Sequence, residues 1–176
     1  MEEVSLRLGH GLPFNNISKL FPEVRFYRRC NSSIDYLEFE TSGGEEMAQI
    51  ASCPRQFAAG VKGGMLSLRE SGRLLSAVIS CRCGSENSSV NMAEDVGCLW
   101  RAPVAYEGGS ELLTVISSDQ SMFRKFYSSL LRTGSVEVVR KKVLRPSFMR
   151  EAFTVSLSDL FGSMTELQAA HLSSAA

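Results

Sequence analysis

The residues best suited to metal chemistry are three cysteines in the middle of the chain. Cys81 and Cys83 form a C-x-C motif at the end of an apolar strand pattern, and Cys98 follows further along. Together with His10 they could offer thiolate and imidazole ligands to zinc. The spacing lacks the two close pairs of a zinc ribbon, and it favours small buried cysteines on a core strand. We therefore predict no metal and no cofactor, with Cys81, Cys83 and Cys98 as the alternative metal site.

Two glycine-containing loops are candidate ligand sites. The loops GHGLP, residues 9–13, and CGSEN, residues 83–87, each connect a predicted strand to a predicted helix. Glycine lets the backbone approach a small ligand closely, and a helix start offers N–H donors to a carboxylate. Ordinary turn chemistry explains the same glycines, so both interpretations stay open. The candidate effector-binding residues are Gly9, His10, Gly11, Cys83 and Gly84.

The sequence carries no recognisable catalytic motif. A hydrolase would have to use His10 or His171, and neither is flanked by a nucleophile motif such as G-x-S-x-G. The chain also lacks G-x-G-x-x-G, the P-loop and H-E-x-x-H. We therefore predict that the protein is not an enzyme, and a small ferredoxin-like enzyme is the least favoured hypothesis.

Charge and composition argue against nonspecific binding to nucleic acid and against a membrane span. Lys+Arg and Asp+Glu each number 19, so no overall basic field attracts a phosphate backbone. The one dense basic segment, VVRKKVLR at 138–145, is typical of a solvated edge strand guarded by lysines. The apolar runs are short, the N-terminus does not resemble a signal peptide, and the cysteine count is odd. A cytoplasmic protein with reduced thiols is predicted.

The elements that position these residues follow one pattern twice. Periodicity predicts β-α-β-β-α-β in residues 1–70 and again in residues 71–145. The two middle strands of each stretch are predicted to form a hairpin, the first around the Asn-Ser-Ser turn at 31–33 and the second around Gly108-Gly109. Gly134 is predicted to be the left-handed cap of the last helix of the second stretch. This order predicts an α+β fold, in which two ferredoxin-like two-layer α/β sandwiches stand in tandem. Residues 146–163 read as a connector, and residues 164–176 as the start of a C-terminal helix.

One strand pattern bears on assembly. In ELLTVIS, Leu112 and Ile116 lie on one face and Leu113 and Val115 on the other, which predicts a strand buried on both sides. A single two-layer sandwich leaves one sheet face in water. We therefore expect the open face to be covered by the other unit or by a second copy of the chain, which makes a homodimer the expected assembly.

The second stretch and the C-terminal residues together resemble a known family of regulators. A strand of the form G-x-V-E-V occurs at 134–138, and a segment close to L-T-x-x-Q-x-x-A-L-x-x-A begins at Met164 and includes Thr165, Gln168 and Leu172. Both elements are similar to those of the archaeal bacterio-opsin activator (Bat)-like helix-turn-helix regulators. The similarity covers the last 80 residues or so, with the first stretch alike only in general pattern.

The resemblance implies a transcription regulator whose DNA-binding domain is cut inside its first helix. DNA would then be a partner only through the missing C-terminal domain, and no DNA-contacting residue is expected in this sequence. The leading hypothesis is a regulatory and oligomerisation region, with a possible small-molecule effector. The alternative is an amino-acid-like small-molecule sensor without a role at DNA.

Overall fold

The structure is a computed structural model that describes residues 1–31, 33–51, 58 and 62–145. The strands are β1 Glu2–His10, β2 Arg25–Cys30, β3 Ile34–Glu40, β4 Gly64–Ser71, β5 Leu74–Ser80, β6 Leu99–Glu107, β7 Ser110–Ser117 and β8 Gly134–Val143. The helices, numbered here in chain order, are α1 Pro13–Leu20, α2 Gly44–Ala51, α3 Ser89–Asp95 and α4 Gln120–Leu131. This order of elements agrees with the predicted repetition of β-α-β-β-α-β.

The strands do not form two separate sandwiches, so the predicted tandem ferredoxin-like fold is wrong. All eight strands form one sheet in the order β4-β5-β3-β2-β6-β7-β1-β8. β1 leaves the first stretch and pairs antiparallel with β7, whereas β5 leaves the second stretch and pairs antiparallel with β3. β2 and β6 then join the two halves, again antiparallel. The first strand of each stretch is thus placed in the half of the sheet built by the other stretch.

The hydrophobic core lies on one face of this sheet. Alternate residues of each inner strand point to it, as the two-residue period of a strand requires. One cross-strand row on this face runs through Leu8, Glu111, Tyr106, Phe26, Phe39 and Leu75. Within this row the ring of Phe26 stacks on Tyr106 at 4.6 Å and on Phe39 at 4.8 Å. The helices pack on this face of the sheet. α1 contacts β1, β6 and β7, and α4 contacts β7.

The opposite face of the sheet is more polar than the sequence pattern predicted. On this face Ile116 is buried, as the pattern of ELLTVIS predicts, but Leu112 is only half-buried. The same face carries an ion pair between Arg101 and Glu3. The other predicted unit does not cover this face, because its strands belong to the same sheet.

Two glycine-dependent details differ in outcome. Gly108 and Gly109 have φ of +56° and +75°, and they form the predicted β6–β7 hairpin turn that favours Gly-Gly. Gly134 was predicted to be the left-handed cap of α4, which is wrong, because it begins β8 and the helix ends at Leu131. A Cβ atom on Gly134 would lie 2.1 Å from the carbonyl oxygen of Gly9, so glycine is needed for close approach to β1.

The chain divides into two units, residues 1–142 and 143–176. The first unit contains the sheet and helices described above. Of the second unit the structure describes only residues 143–145, so the predicted connector and the predicted C-terminal helix lie outside the described residues.

Candidate functional site

A buried ion pair lies at the centre of the candidate site. Arg28 of β2 and Asp35 of β3 are 1% and 0% exposed, and Nε of Arg28 donates to Oδ1 of Asp35 at 2.6 Å. Burial of two charges costs free energy unless they are paired and hydrogen-bonded, so these groups require each other. They lie on the core face of the sheet, at positions where a strand pattern calls for apolar side chains.

The remaining surroundings of Arg28 come from both stretches of the sequence. Its Nη1 lies 3.4 Å from Oγ of Ser88, and its Nη2 lies 3.4 Å from Sγ of Cys83. The guanidinium stacks over the ring of Phe14 at 4.3 Å, a cation–π geometry. Desolvation lowers the pKa of Arg28, but attraction to the anionic forms of Tyr106 and Asp35 outweighs it and raises the pKa above its usual value. Arg28 therefore stays a cation.

Three thiols surround the free side of the Asp35 carboxylate. Sγ of Cys30, Cys81 and Cys83 and a carboxylate oxygen of Asp35 all lie within 4.8 Å of one another. Sγ of Cys83 donates to Oδ2 of Asp35 at 3.5 Å. Burial and the negative charge of Asp35 raise the pKa of Cys81 to about 11. The hydrogen bond with Cys30, followed by burial and Asp35, raises the pKa of Cys83, so Cys81 and Cys83 hold their protons at neutral pH.

Strand pairing explains how these four residues meet. Cys30 and Asp35 are directly opposite each other at the closed end of the β2–β3 hairpin. Asp35 pairs on its other side with Ile79 of β5, and the backbone N–H of Cys81 then donates to the carbonyl of Ser33 at 2.9 Å. The C-x-C motif therefore ends beside the hairpin because β5 is placed next to β3.

Cys98, the third cysteine of the metal alternative considered from sequence, is not part of this group. It is buried near the start of β6, where a hydrogen bond with Ser117 is opposed by a larger effect of burial that raises its pKa. The sequence argument that the C-x-C motif lacks a second close pair of ligands does not hold in the fold. Cys30 and Asp35 supply that pair, and the predicted hairpin would have placed those two opposite each other.

A second polar group lies on the core face of β1 and β7. His10, Glu111 and Ser89 are all buried. Nδ1 of His10 accepts from the backbone N–H of Leu12, so its Nε2 carries the proton that is donated to Oε2 of Glu111 at 2.9 Å. The hydroxyl of Ser89 donates to the other oxygen of Glu111. Because the carboxylate lies between hydroxyl and imidazole, the histidine is not placed to take the serine proton, as a nucleophile–base pair requires.

The two candidate loops lie near these groups. Gly11 has open space around it, whereas the backbone N–H of Gly84 donates to Oδ1 of Asn87 at 2.8 Å. The carbonyl of Gly9 accepts from the Ser135 hydroxyl at 3.3 Å. The small space between the loops does not admit a water molecule. Its lining includes Leu12, Phe14, Arg28, Ser88, Tyr106 and Glu111.

Comparison with known families identifies the group to which this fold belongs. A family model described as HVO_A0563, N-terminal, matches residues 3–153. The chain belongs to this family. The match includes both stretches of the sequence, and so every strand of the sheet, whereas the resemblance noted above was carried mainly by the last 80 residues or so. No curated protein matches the chain.

The HVO_A0563 N-terminal region therefore includes the complete candidate site around Arg28. We call this group the Arg28 site; it comprises Arg28, Cys30, Asp35, Cys81, Cys83 and Ser88. Cys30, Asp35, Cys81 and Cys83 all fall within the matched residues. In the described part of this region, no helix is both long enough and apolar enough to cross a bilayer. The basic residues of β8 are exposed, and Lys141 pairs with Glu2 at 2.9 Å.

Proposed function

We propose that this chain is the effector-sensing regulatory region of a cytoplasmic, DNA-binding transcriptional regulator of the Bat-like type. Two observations support the regulator class: the similarity of residues 134–138 and 164–175 to that family, and a match to a family described as N-terminal that ends at 153. In this proposal DNA is contacted by a helix-turn-helix domain whose first helix begins near Met164. The chain itself has a regulatory and not an enzymatic role.

The observation that carries the sensing part is the buried Arg28 site. Arg28, Cys30 and Asp35 come from the first stretch, whereas Cys83 and Ser88 come from the second. A change in the bonding of any of them alters contacts between the two stretches of the sequence. Regulatory transitions need such a link between a local chemical event and the packing of larger elements.

Promoter occupancy in the native host tests the regulator class. The chromosomal gene, with its full reading frame, would carry a small tag for chromatin immunoprecipitation and sequencing. Enrichment at a limited set of promoters, together with changed transcript levels of those genes in a deletion strain, is the expected result. A profile identical to that of an untagged strain would contradict the proposal.

Matched variants test the sensing part. Cys83→Ser replaces a partly buried thiol of the site, whereas Cys98→Ser replaces a buried thiol outside it. We expect the first variant, at wild-type protein abundance, to change transcript levels of the occupied genes, and the second to leave them unaltered. Equal transcript levels in the two variants would remove the Arg28 site from the sensing role.

A homodimer is part of the proposal, because a palindromic operator is read by a two-fold symmetric protein. Leu112, half-buried on the more polar face of the sheet, lies on the surface we propose for pairing. Light scattering of the purified chain over a wide concentration range should give twice the chain mass. A mass equal to one chain at the highest concentration would refute the dimer.

Small-molecule sensing without a role at DNA is the second candidate. The observation in its favour is that the loops after β1 and β5 meet beside Arg28; the space between them does not admit a water molecule, so a ligand would bind only if the loops moved apart. A thermal-shift screen of amino acids and related metabolites, repeated with Gly11→Val and Gly84→Val, tests it. A shift in the wild type that both variants abolish would support this candidate, and no shift with any compound would dismiss it.

A further inference from the structure

We propose that Cys30, Asp35, Cys81 and Cys83 bind one Zn²⁺ ion through three thiolates and one carboxylate. This proposal names the effector of the proposed function as a thiolate-preferring divalent metal. The role of the ion as a signal rests on that proposed function. Binding itself depends only on the geometry of the site. The four residues belong to segments that are far apart in sequence and meet only in the folded sheet.

The positions of the donor atoms suit a tetrahedral ion. The four atoms lie within 4.8 Å of one another, and Sγ of Cys83 is 3.5 Å from Oδ2 of Asp35. Zn–S bonds of about 2.3 Å place two tetrahedral sulfur ligands about 3.8 Å apart. A contraction of about 1 Å or less, within reach of side-chain torsions, therefore forms the site. Three sulfurs and one oxygen favour zinc over magnesium or calcium, which prefer oxygen ligands.

Arg28 prepares the site for the charge of the bound state. Three thiolates and a carboxylate carry four negative charges, of which Zn²⁺ neutralises two. The buried guanidinium, 3.4 Å from Sγ of Cys83, offsets a third. Its Nε also holds Oδ1 of Asp35 at 2.6 Å, which leaves Oδ2 directed towards the sulfurs. Ligands held by an outer partner in this way are characteristic of protein metal sites.

The binding step is an exchange of protons for the metal. Each of the three thiols loses its proton to solvent, and Zn²⁺ releases the water molecules that coordinate it in solution. The sulfur lone pairs form three Zn–S bonds, and the Asp35 carboxylate forms the fourth bond without losing a proton. No oxidant or reductant is involved. Cys30 and Cys83 are only partly buried, so they offer the ion a route from solvent to the buried Cys81 and Asp35.

The bound ion would cross-link the two stretches of the sequence within one half of the sheet. Cys30 and Asp35 close the β2–β3 hairpin, whereas Cys81 and Cys83 lead from β5 into α3. In the absence of the ion this junction is held by the antiparallel pairing of β3 with β5, which the hydrogen bond from Cys81 N–H to Ser33 O extends towards the hairpin. Metal occupancy therefore changes how firmly the two stretches are joined.

Titration of the purified full chain tests the proposal. The chain would be reduced and stripped with a chelator, then titrated with Co²⁺ as a spectroscopic probe and with Zn²⁺ against a chromophoric chelator. We expect one ion per chain, the intense visible bands of tetrahedral Co²⁺, thiolate-to-metal charge transfer, and displacement of Co²⁺ by Zn²⁺. Weak octahedral Co²⁺ bands, or no saturable binding, would overturn the proposal. So would a disulfide between two of these cysteines that persists in the reduced preparation.

Serine variants identify the ligands. Cys30→Ser, Cys81→Ser and Cys83→Ser should each weaken Zn²⁺ binding by more than about 10-fold. Cys98→Ser is the matched control, because Cys98 is buried but lies outside the cluster, and it should bind as the wild type does. Equal loss in all four variants would count against the site. The wild-type Co²⁺ spectrum does not depend on the variants, so it remains decisive if a variant fails to fold.

Failure of this inference and failure of the proposed function have different signatures. If the protein occupies promoters in the host but does not bind metal, the zinc site is refuted and the proposed regulator class stands. If the protein binds metal but occupies no promoters, the zinc site stands and the proposed regulator class is refuted. If both hold, chelation of zinc in the host should change transcript levels in the wild type and not in the Cys83→Ser strain, and equal responses would overturn the role of zinc as the signal.

Discussion

Replacement of Asp35 by asparagine should be among the most destabilising single changes in the described part of the chain. The substitution keeps the volume of the side chain and one oxygen acceptor, but it removes the negative charge 2.6 Å from Nε of Arg28. Arg28 is 1% exposed and cannot move its charge into water without opening the core. The variant therefore leaves a cation buried and without a compensating anion.

The expected cost follows from that burial. Removal of one partner of a buried ion pair costs about 3–5 kcal/mol. A loss of about 3 kcal/mol corresponds to roughly a 100-fold shift of the folding equilibrium. The exposed pair Arg25–Glu107, whose side chains are 47% and 41% exposed, provides the comparison. Glu107→Gln should cost less than about 1 kcal/mol, because water screens that pair.

Urea unfolding of the metal-free, reduced chain, followed by the fluorescence of the single tryptophan, measures the difference. At an unchanged slope, the midpoint for Asp35→Asn should fall well below those of the wild type and Glu107→Gln. The double variant Arg28→Met with Asp35→Leu should recover much of the loss, because apolar side chains of similar size replace both charges. Equal midpoints for Asp35→Asn and Glu107→Gln would refute the reasoning.

Further predictions concern pH, backbone approach and helix packing. Burial raises the pKa of Tyr106 well above its usual value, so this residue should lower stability by up to about 1.4 kcal/mol per pH unit above about pH 10. Tyr106→Phe should remove that part of the slope in urea titrations and leave the part due to the buried thiols, whose pKa values are also raised. Gly134→Ala places a methyl group against the backbone of β1 and should lower the thermal midpoint, whereas Gly11→Ala, with open space around it, should not. Phe126→Ala, fully buried in α4, should cost about 3–5 kcal/mol in urea unfolding, and Leu131→Ala, 52% exposed, far less. Equal effects within either pair, or an unchanged pH slope in Tyr106→Phe, would contradict these assignments.

The candidate site was only partly predictable from sequence. The C-x-C motif was noticed, but Cys98 was grouped with it and Cys30 was not. Cys30 and Asp35 could have been found from the predicted hairpin, since its register places them opposite each other. Their approach to Cys81 and Cys83 could not, because it depends on β5 pairing with β3 across a long separation in sequence.

The sequence by itself determined the local elements of this protein. Two-residue and helical periodicities located the strands and helices in order, and Gly108-Gly109 specified a hairpin turn, because these signals depend on neighbours along the chain. Only the tertiary structure decided which strands pair. The two stretches have nearly the same pattern, so β1 and β5 fit equally well by periodicity into either half of the sheet. Arg28, Cys30 and Asp35 meet within the β2–β3 hairpin, and Cys81 and Cys83 join them because the exchanged arrangement places β5 beside β3.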